Sequence, residues 1–251
     1  MGTESIKDRL RELKLKGMLE EFEAQIEGDS YDGLSFTERF SLIVEAEQIK
    51  KRNSRTQLRH RQANFAQKGA CIEDIDYTVD RNLSKETVLR LASCAYAGKH
   101  ENVLVLGPSD SGKTYLSCAL GNAACRRDIK VSYSRLADLF SVLEQAERVG
   151  RLTKVFRFYS SVPILIIDDF LLSVPTLRQV QTLVELSEQR ERTTSTIVCA
   201  QLHPRDWSKR IDEAIQANCI HSRLVPGAHV IELKGGMPMR ERYSSLNEEG
   251  R

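Results

Sequence analysis

Apolar side chains recur at helical spacing through the first part of the chain. Ile6, Leu10, Leu13, Met18, Phe22 and Ile26 follow one another at intervals of three to five, close to one face of a helix. Residues 28–33, bounded by two glycines, read as a turn. Ser35-x-x-Glu38 then reads as a capping box that opens a second helix, with Phe36, Phe40, Ile43 and Val44 as its apolar face. From about residue 76 the pattern changes. Short apolar runs at 102–106, 130–133, 163–167, 195–200 and 229–233 read as strands. Between them, a stretch opened by Ser84 with Val88, Leu89 and Leu91, and stretches at 115–127, 136–147 and 176–190, read as helices. Strands alternating with helices predict an α/β fold: a mainly parallel sheet in a three-layer sandwich. The expected organisation is a small helical domain over residues 1–75, followed by an α/β domain over residues 76–251.

Composition adds few constraints. The 251 residues are 41% hydrophobic and 29% charged, ordinary for a soluble globular chain that buries a core without disulfides or metals. The N-terminus lacks the apolar stretch of a signal peptide, and the strongest apolar run, Val162 to Ile167, is too short to span a bilayer. A cytoplasmic protein with no membrane association is therefore expected. The six cysteines form no C-x-x-C pair, which argues against a zinc site or a redox motif. They are expected to be reduced and buried, with Cys118 and Cys125 on one face of a helix.

The net charge of +2 says little, but its distribution says more. Residues 1–47 hold six Lys/Arg and twelve Asp/Glu, whereas residues 48–72 hold seven Lys/Arg and no acid. A basic run of this length attracts polyanions, because each cation beside a phosphate releases condensed counterions. Lys50, Lys51, Arg52, Arg55, Arg59 and Arg61 are the candidate contacts to DNA, and Arg52, Arg55 and Arg59 share one helix face. A solvated helix surface is the alternative reading of the same run.

The sharpest chemical signal is Gly107-Pro108-Ser109-Asp110-Ser111-Gly112-Lys113-Thr114, a full G-x-x-x-x-G-K-[ST] phosphate loop between an expected strand and an expected helix. Glycines let backbone N–H groups wrap a phosphate, and the helix N-terminus adds partial positive charge. Lys113 is expected to reach the β- and γ-phosphates of ATP, and Thr114 to offer its hydroxyl to magnesium. Asp110 is unusual, because a carboxylate in the loop repels phosphates unless it points away. About fifty residues downstream, Val162-Pro-Ile-Leu-Ile-Ile-Asp168-Asp169 is an apolar strand ending in two acids. In P-loop ATPases the first acid holds magnesium through water and the second orients the attacking water, which gives Asp168 and Asp169 those roles.

Together these motifs resemble the IstB family, ATPase helper proteins of bacterial insertion sequences, and the related DnaC-type helicase loaders. The resemblance spans nearly the whole chain. It runs from Leu13-Lys-Leu-Lys-Gly-Met18 through Leu34-Ser-Phe and Glu45-Ala-Glu47 to the phosphate loop and Ile166-Ile-Asp-Asp169. It continues through Ser195-Thr-Ile-Val-Cys-Ala-Gln201 and Ser222-Arg223-Leu224-Val225 to Ile231-Glu-Leu-Lys-Gly235. It implies an AAA+ fold in which Gln201 resembles the family's sensor 1 and Arg223 the arginine finger, inserted into the site of a neighbouring copy in a homo-oligomer. Three positions depart from the family pattern: Asp110 where glycine is frequent, Ser222 where Asp is common, and Gly235-Gly-Met-Pro-Met-Arg240 in place of the G-E-S-[MY]-R ending. The implied function is a DNA-dependent ATPase that assembles on duplex DNA and regulates or recruits a transposase. A loader that grips a replicative helicase is the first alternative. A non-hydrolysing ATP-binding assembly module, suggested by Asp110 and Ser222, is the second.

Overall fold

The computed structural model describes residues 2–78 and 80–235, without the side chain of Asp29. Residues 236–240 of the ending that departs from the family pattern, Arg240 among them, lie outside the described residues. The protein divides into two compact units, Met1–Leu58 and Arg59–Arg251.

The first unit holds α1 (Thr3–Glu12), α2 (Lys16–Glu27) and most of α3 (Phe36–Ala63). The apolar face from Ile6 to Ile26 does not form one helix. The chain turns between α1 and α2, where Lys14 takes a left-handed backbone with φ of 58°. The new N-terminus is capped from a distance: Glu47 Oε2 accepts hydrogen bonds from the Gly17 N–H at 2.7 Å and the Met18 N–H at 3.1 Å. Both donors lie in the first turn of α2, where no helical carbonyl can reach them, and a carboxylate there also complements the helix dipole. Gly17 permits the approach, because a Cβ at this position would stand 2.5 Å from the Ala46 carbonyl oxygen. At the start of α3 the expected capping box is present. The Ser35 N–H donates to Glu38 Oε2 at 2.8 Å, and the Glu38 N–H donates to Ser35 Oγ at 3.4 Å.

The second unit is the α/β body. Its elements run α4 (Lys85–Ala92), α5 (Ala95–Gly98), β1 (Val103–Leu106), α6 (Lys113–Arg126), β2 (Val131–Arg135), α7 (Leu136–Arg148), α8 (Leu152–Ser161), β3 (Ile164–Phe170), α9 (Leu177–Arg190), β4 (Ser195–Ala200), α10 (Ala214–Leu224) and β5 (His229–Glu232). All strand pairings are parallel, in the order β2-β3-β4-β1-β5. Both sheet faces are covered, which is why the strands read as continuous apolar runs rather than alternating ones. Val103, Val105, Ile164, Ile166, Ile197 and Cys199 face one core with α4 and α6. Leu104, Leu106, Leu165, Ile167, Val198 and Ala200 face the other with α7, α9 and α10. This is the three-layer α/β arrangement expected from the sequence. Residues 59–75 also pack into this unit, with Phe65, Ala70, Ile72 and Ile75 in the first core, so the boundary between the units precedes the one expected at 75/76.

Helices α8 and α10 have no counterpart among the elements expected from apolar spacing, and neither has a side-chain N-cap to announce it. Of the apolar residues that mark α4, Leu89 is 52% exposed, while Val88 and Leu91 are buried. The cysteines are free, and burial raises the Cys118 and Cys125 thiols to about 11, so both stay protonated at neutral pH. No helix among the described residues is long and apolar enough to cross a membrane.

Candidate functional site

A cleft of about 560 Å³ opens at the C-terminal ends of the parallel strands, the usual place for a ligand in an open α/β sheet. Sheet order sets its composition. The loop Gly107–Thr114 follows β1, and the acids of β3 end a strand that β4 separates from β1. β4 also delivers Gln201 to the cleft.

The loop folds as its glycines require. Gly107 has φ of 152°, and a Cβ there would stand 2.6 Å from the Leu233 carbonyl oxygen. Gly112 has φ of 95° and leads directly into α6. Asp110 is itself left-handed, with φ of 57°. That conformation favours glycine and is tolerated by Asp and Asn, which accounts for the residue type at the position where family loops often carry glycine. Asp110 lines the cleft together with Ser109 and Gly112. Lys113 is 8% exposed, and its ammonium donates to the Pro108 carbonyl at 2.6 Å. Burial pushes its pKa below the usual lysine value, against the pull of nearby thiol and carboxylate groups including Asp168, Asp169 and Asp110.

Thr114 and Asp168 meet. The Thr114 hydroxyl donates to Asp168 Oδ2 at 2.7 Å, and the Tyr133 hydroxyl donates to the same oxygen at 2.8 Å. The other carboxylate oxygen of Asp168 accepts from the Asp169 N–H at 2.9 Å. Asp168 is 2% exposed, so these three donors replace the water it has lost. Burial, reinforced by the Asp168 charge, pushes the Tyr133 phenol well above its ordinary pKa and keeps it a donor. Tyr133 is a site residue that the motifs do not announce. The one signal in the sequence is a tyrosine in a short strand buried on both faces, whose hydroxyl needs a partner.

Asp169 is turned away from its neighbour by a β-bulge. Ile167 pairs with Val198 and Phe170 with Ala200, so three steps along β3 oppose two along β4. Asp169 carries the strain of this insertion, with φ of 52°. The result is one buried acid beside Thr114 and one acid facing the cleft. Burial raises the pKa of Asp169, the Asp168 charge adds to the rise, and Arg135 and Lys113 oppose it. Arg135, at the end of β2, lies 3.6 Å from Asp169 Oδ2.

Arg223 is not brought to this cleft. It sits near the end of α10, where its carbonyl accepts from the side chain of Asn102, the residue just ahead of β1, at 3.2 Å. The phosphate-loop motif leaves the opposite end of that strand. The guanidinium of Arg223 donates to Glu188 Oε1 at 3.0 Å and to the Cys219 carbonyl at 2.9 Å. Ser222 donates its hydroxyl back to the Cys219 carbonyl at 3.0 Å. Among the other residues without an expected role, Trp207 is buried against Phe170, and His221 packs edge-on to the indole.

The basic run lies on α3, and its members differ. Lys50 pairs with Glu20 at 2.8 Å, Lys51 with Glu47 at 3.4 Å and Arg59 with Asp128 at 2.6 Å. Arg52, Arg55 and Arg61 are exposed and form no ion pair among the described residues.

The fold is similar to that of AMPPCP-bound DnaA from Aquifex aeolicus (TM-score 0.60, 21% identity, covering 75% of this chain and 58% of that one). It is also similar to the DnaC helicase loader (TM-score 0.57, 18% identity, covering 66% of this chain and 97% of that one). Both likenesses place it in the AAA+ P-loop class of folds. In sequence, the chain is 34% identical over 228 residues to an insertion sequence ATP-binding protein of Sinorhizobium fredii, covering 91% of this chain and 93% of that protein. It is 31% identical over 202 residues to an insertion sequence ATP-binding protein of Pseudomonas fluorescens, covering 80% and 87%. The family of IstB-like ATP binding proteins matches residues 8–247, and the chain belongs to that family.

Proposed function

We propose that this chain is a magnesium-dependent ATPase that assembles on duplex DNA in the cytoplasm and assists a transposase. The observation that carries the proposal is the hydrogen bond between Thr114 and Asp168 at the mouth of the loop Gly107–Thr114, with Asp169 and Gln201 in the same cleft. Thr114 and Asp168 are hard oxygen donors 2.7 Å apart. This donor set suits magnesium, which binds through one or two protein oxygens and keeps water and phosphate for the rest. When bound there, magnesium neutralises charge on the β- and γ-phosphates.

The protein's own groups divide the remaining work. Backbone N–H groups of residues 109–112 and the N-terminus of α6 cradle the phosphates, and Lys113 moves from the Pro108 carbonyl to a phosphate oxygen. Asp169 orients the attacking water, and its raised pKa suits it to accept a proton. Gln201 contacts the γ-phosphate or that water. Arg223, held at the far end of β1 from its own loop, serves the site of a neighbouring copy, so turnover requires a homo-oligomer. Arg52, Arg55 and Arg61 contact DNA phosphates without reading sequence. Lys50, Lys51 and Arg59 contribute less, because each already has an acidic partner.

The test is ATP turnover by the full chain with and without duplex DNA, with Asp169→Asn as the blank. Stimulation by duplex DNA is the expected outcome. Nucleotide binding without turnover in either condition would favour the assembly module. Stimulation only by single strands together with a replicative helicase would favour the loader.

A further inference from the structure

The segment from Asp76 to Leu83 belongs to none of the expected motifs, yet it supplies one wall of the cleft. It is held alongside the end of β5. The Arg81 carbonyl accepts from the Lys234 N–H at 3.0 Å, and the Asn82 side chain donates to the Glu232 carbonyl at 3.0 Å. Ile75, Leu83 and Leu116 give the cleft apolar lining, and a cation stands among them: Arg81 lines the cleft together with Gly112 and Lys113.

Arg81 is 8% exposed, and one terminal nitrogen of its guanidinium donates to the Asp76 carbonyl at 2.6 Å. The other terminal nitrogen lies so close to the phosphate loop that a Cβ on Gly112 would stand 3.1 Å from it. The Nε is buried and has no hydrogen-bond partner among the described residues. Among the described residues Arg81 forms no ion pair. A buried cation with an unused N–H and no ion pair among the described residues is costly unless an anion completes it. Gly112, beside this guanidinium, leads into the N-terminus of α6, itself a site for anions.

We propose that Arg81 is a nucleotide-binding residue, a second cation that grips the α–β side of a nucleoside di- or triphosphate while Lys113 takes the β–γ side. This rests on the proposed nucleotide site and extends it to a residue outside the phosphate loop. A guanidinium whose fork meets phosphate oxygens contacts groups that ADP and ATP share. Arg81 therefore sets affinity for both nucleotides and leaves their ratio nearly unchanged. It also ties the bound phosphates to the 76–83 segment through the Asp76 carbonyl.

The experiment is equilibrium binding of fluorescently labelled ADP and ATP to the full chain at several salt concentrations, with the apo melting temperature as the folding control. R81Q can still donate to the Asp76 carbonyl. It is expected to weaken both nucleotides by about 10- to 100-fold, the effect of removing one charge-assisted hydrogen bond, with a shallower salt dependence. R81K keeps the charge but not the fork and is expected to fall between wild type and R81Q. Unchanged affinity in R81Q, or weakening with an unaltered salt dependence, would overturn the proposal and leave Arg81 as a tie for the 76–83 segment. A lysine variant no tighter than R81Q would do the same. Wild-type protein that binds neither nucleotide would overturn the nucleotide site itself, and this inference with it.

Discussion

Thr114 and Asp168 lie 54 positions apart in sequence and share a 2.7 Å hydrogen bond at the end of the central strands. The bond joins the two motifs whose spacing in the sequence left their geometry open. Thr114→Val removes the donor and leaves the size of the side chain nearly unchanged. It is expected to leave magnesium-free ATP binding within a few-fold of wild type and to abolish most of the gain in affinity that magnesium brings. A titration of ATP with and without magnesium reads this directly, and an undiminished magnesium effect would remove Thr114 from the metal site.

Asp169 faces the cleft with a pKa raised first by burial and then by the Asp168 charge. A carboxylate in this state becomes charged at a higher pH than usual, so turnover should rise with pH through a limb displaced upward from that of an unperturbed aspartate. Arg135 opposes the shift, and Arg135→Ala is expected to move the limb to still higher pH. The same displacement means that stability associated with Asp169 is present below its unfolded pKa and lost as pH rises through the folded one. Asp169→Asn should retain nucleotide and lose turnover by roughly 10²- to 10⁴-fold, as expected for loss of a positioned base. A pH–rate profile of the arginine variant that overlays wild type would break the link between the two residues.

Arg223→Ala is expected to leave nucleotide affinity unchanged and to lower turnover by roughly 10³-fold or more, the usual scale for an arginine finger. Mixing this variant with Lys113→Ala protein should restore part of the activity, because one copy supplies the intact loop and the other the intact arginine. Glu188→Gln, which releases the arginine from its 3.0 Å pair, should retain turnover. Absence of activity in the mixture would argue against a site shared between copies.

Replacing Arg52 and Arg55 with alanine should flatten the salt dependence of duplex DNA binding by about one unit of log–log slope for each phosphate no longer neutralised. Arg59→Ala provides the contrast. Its 2.6 Å pair with Asp128 makes it part of the second unit's structure, so its loss is expected to leave the slope unaltered. A slope that responds to Arg59 and not to Arg52 and Arg55 would reverse the assignment.

Among the described residues, Arg190 is a buried cation with only neutral acceptors in its hydrogen-bond shell. Its guanidinium donates to the carbonyls of Tyr159, Val162 and Ser195 and to the Thr196 hydroxyl, at 2.6 to 3.0 Å. Burial lowers its pKa to about 9. Arg190→Ala strands these acceptors where α8, β3 and β4 come together, and is expected to cost about 3–5 kcal/mol in denaturant unfolding. A loss under about 1 kcal/mol would show that water replaces the side chain.

The parts of this protein that can be read from its sequence are those set by local rules. Strands buried on both faces read as apolar runs, and the phosphate loop announces itself by glycine spacing. The Ser35–Glu38 box is written in four adjacent residues. The parts that cannot be read depend on distant partners. Nothing near Arg59 points to Asp128, and nothing near Asp168 points to Tyr133. The break at Lys14 is hidden because the apolar positions keep their rhythm across it, while the reason for it, Glu47 beneath Gly17, lies 30 residues away. Arg81 stands in a segment without periodicity, and only its burial beside Gly112 distinguishes it from a surface arginine.

The extra residue between Ile167 and Phe170 makes chain length itself a determinant of where the two acids point. Deleting one of the two aspartates would let β3 and β4 resume an even ladder, and the remaining acid would occupy a single orientation, either toward Thr114 or toward the cleft. Within this strand a shortened chain would therefore lose one of the two orientations while keeping an acid. Duplicating Asp169 would shift Phe170 off Trp207 and disturb the core behind the site. Spacing at this point therefore decides where each acid points as much as residue identity does.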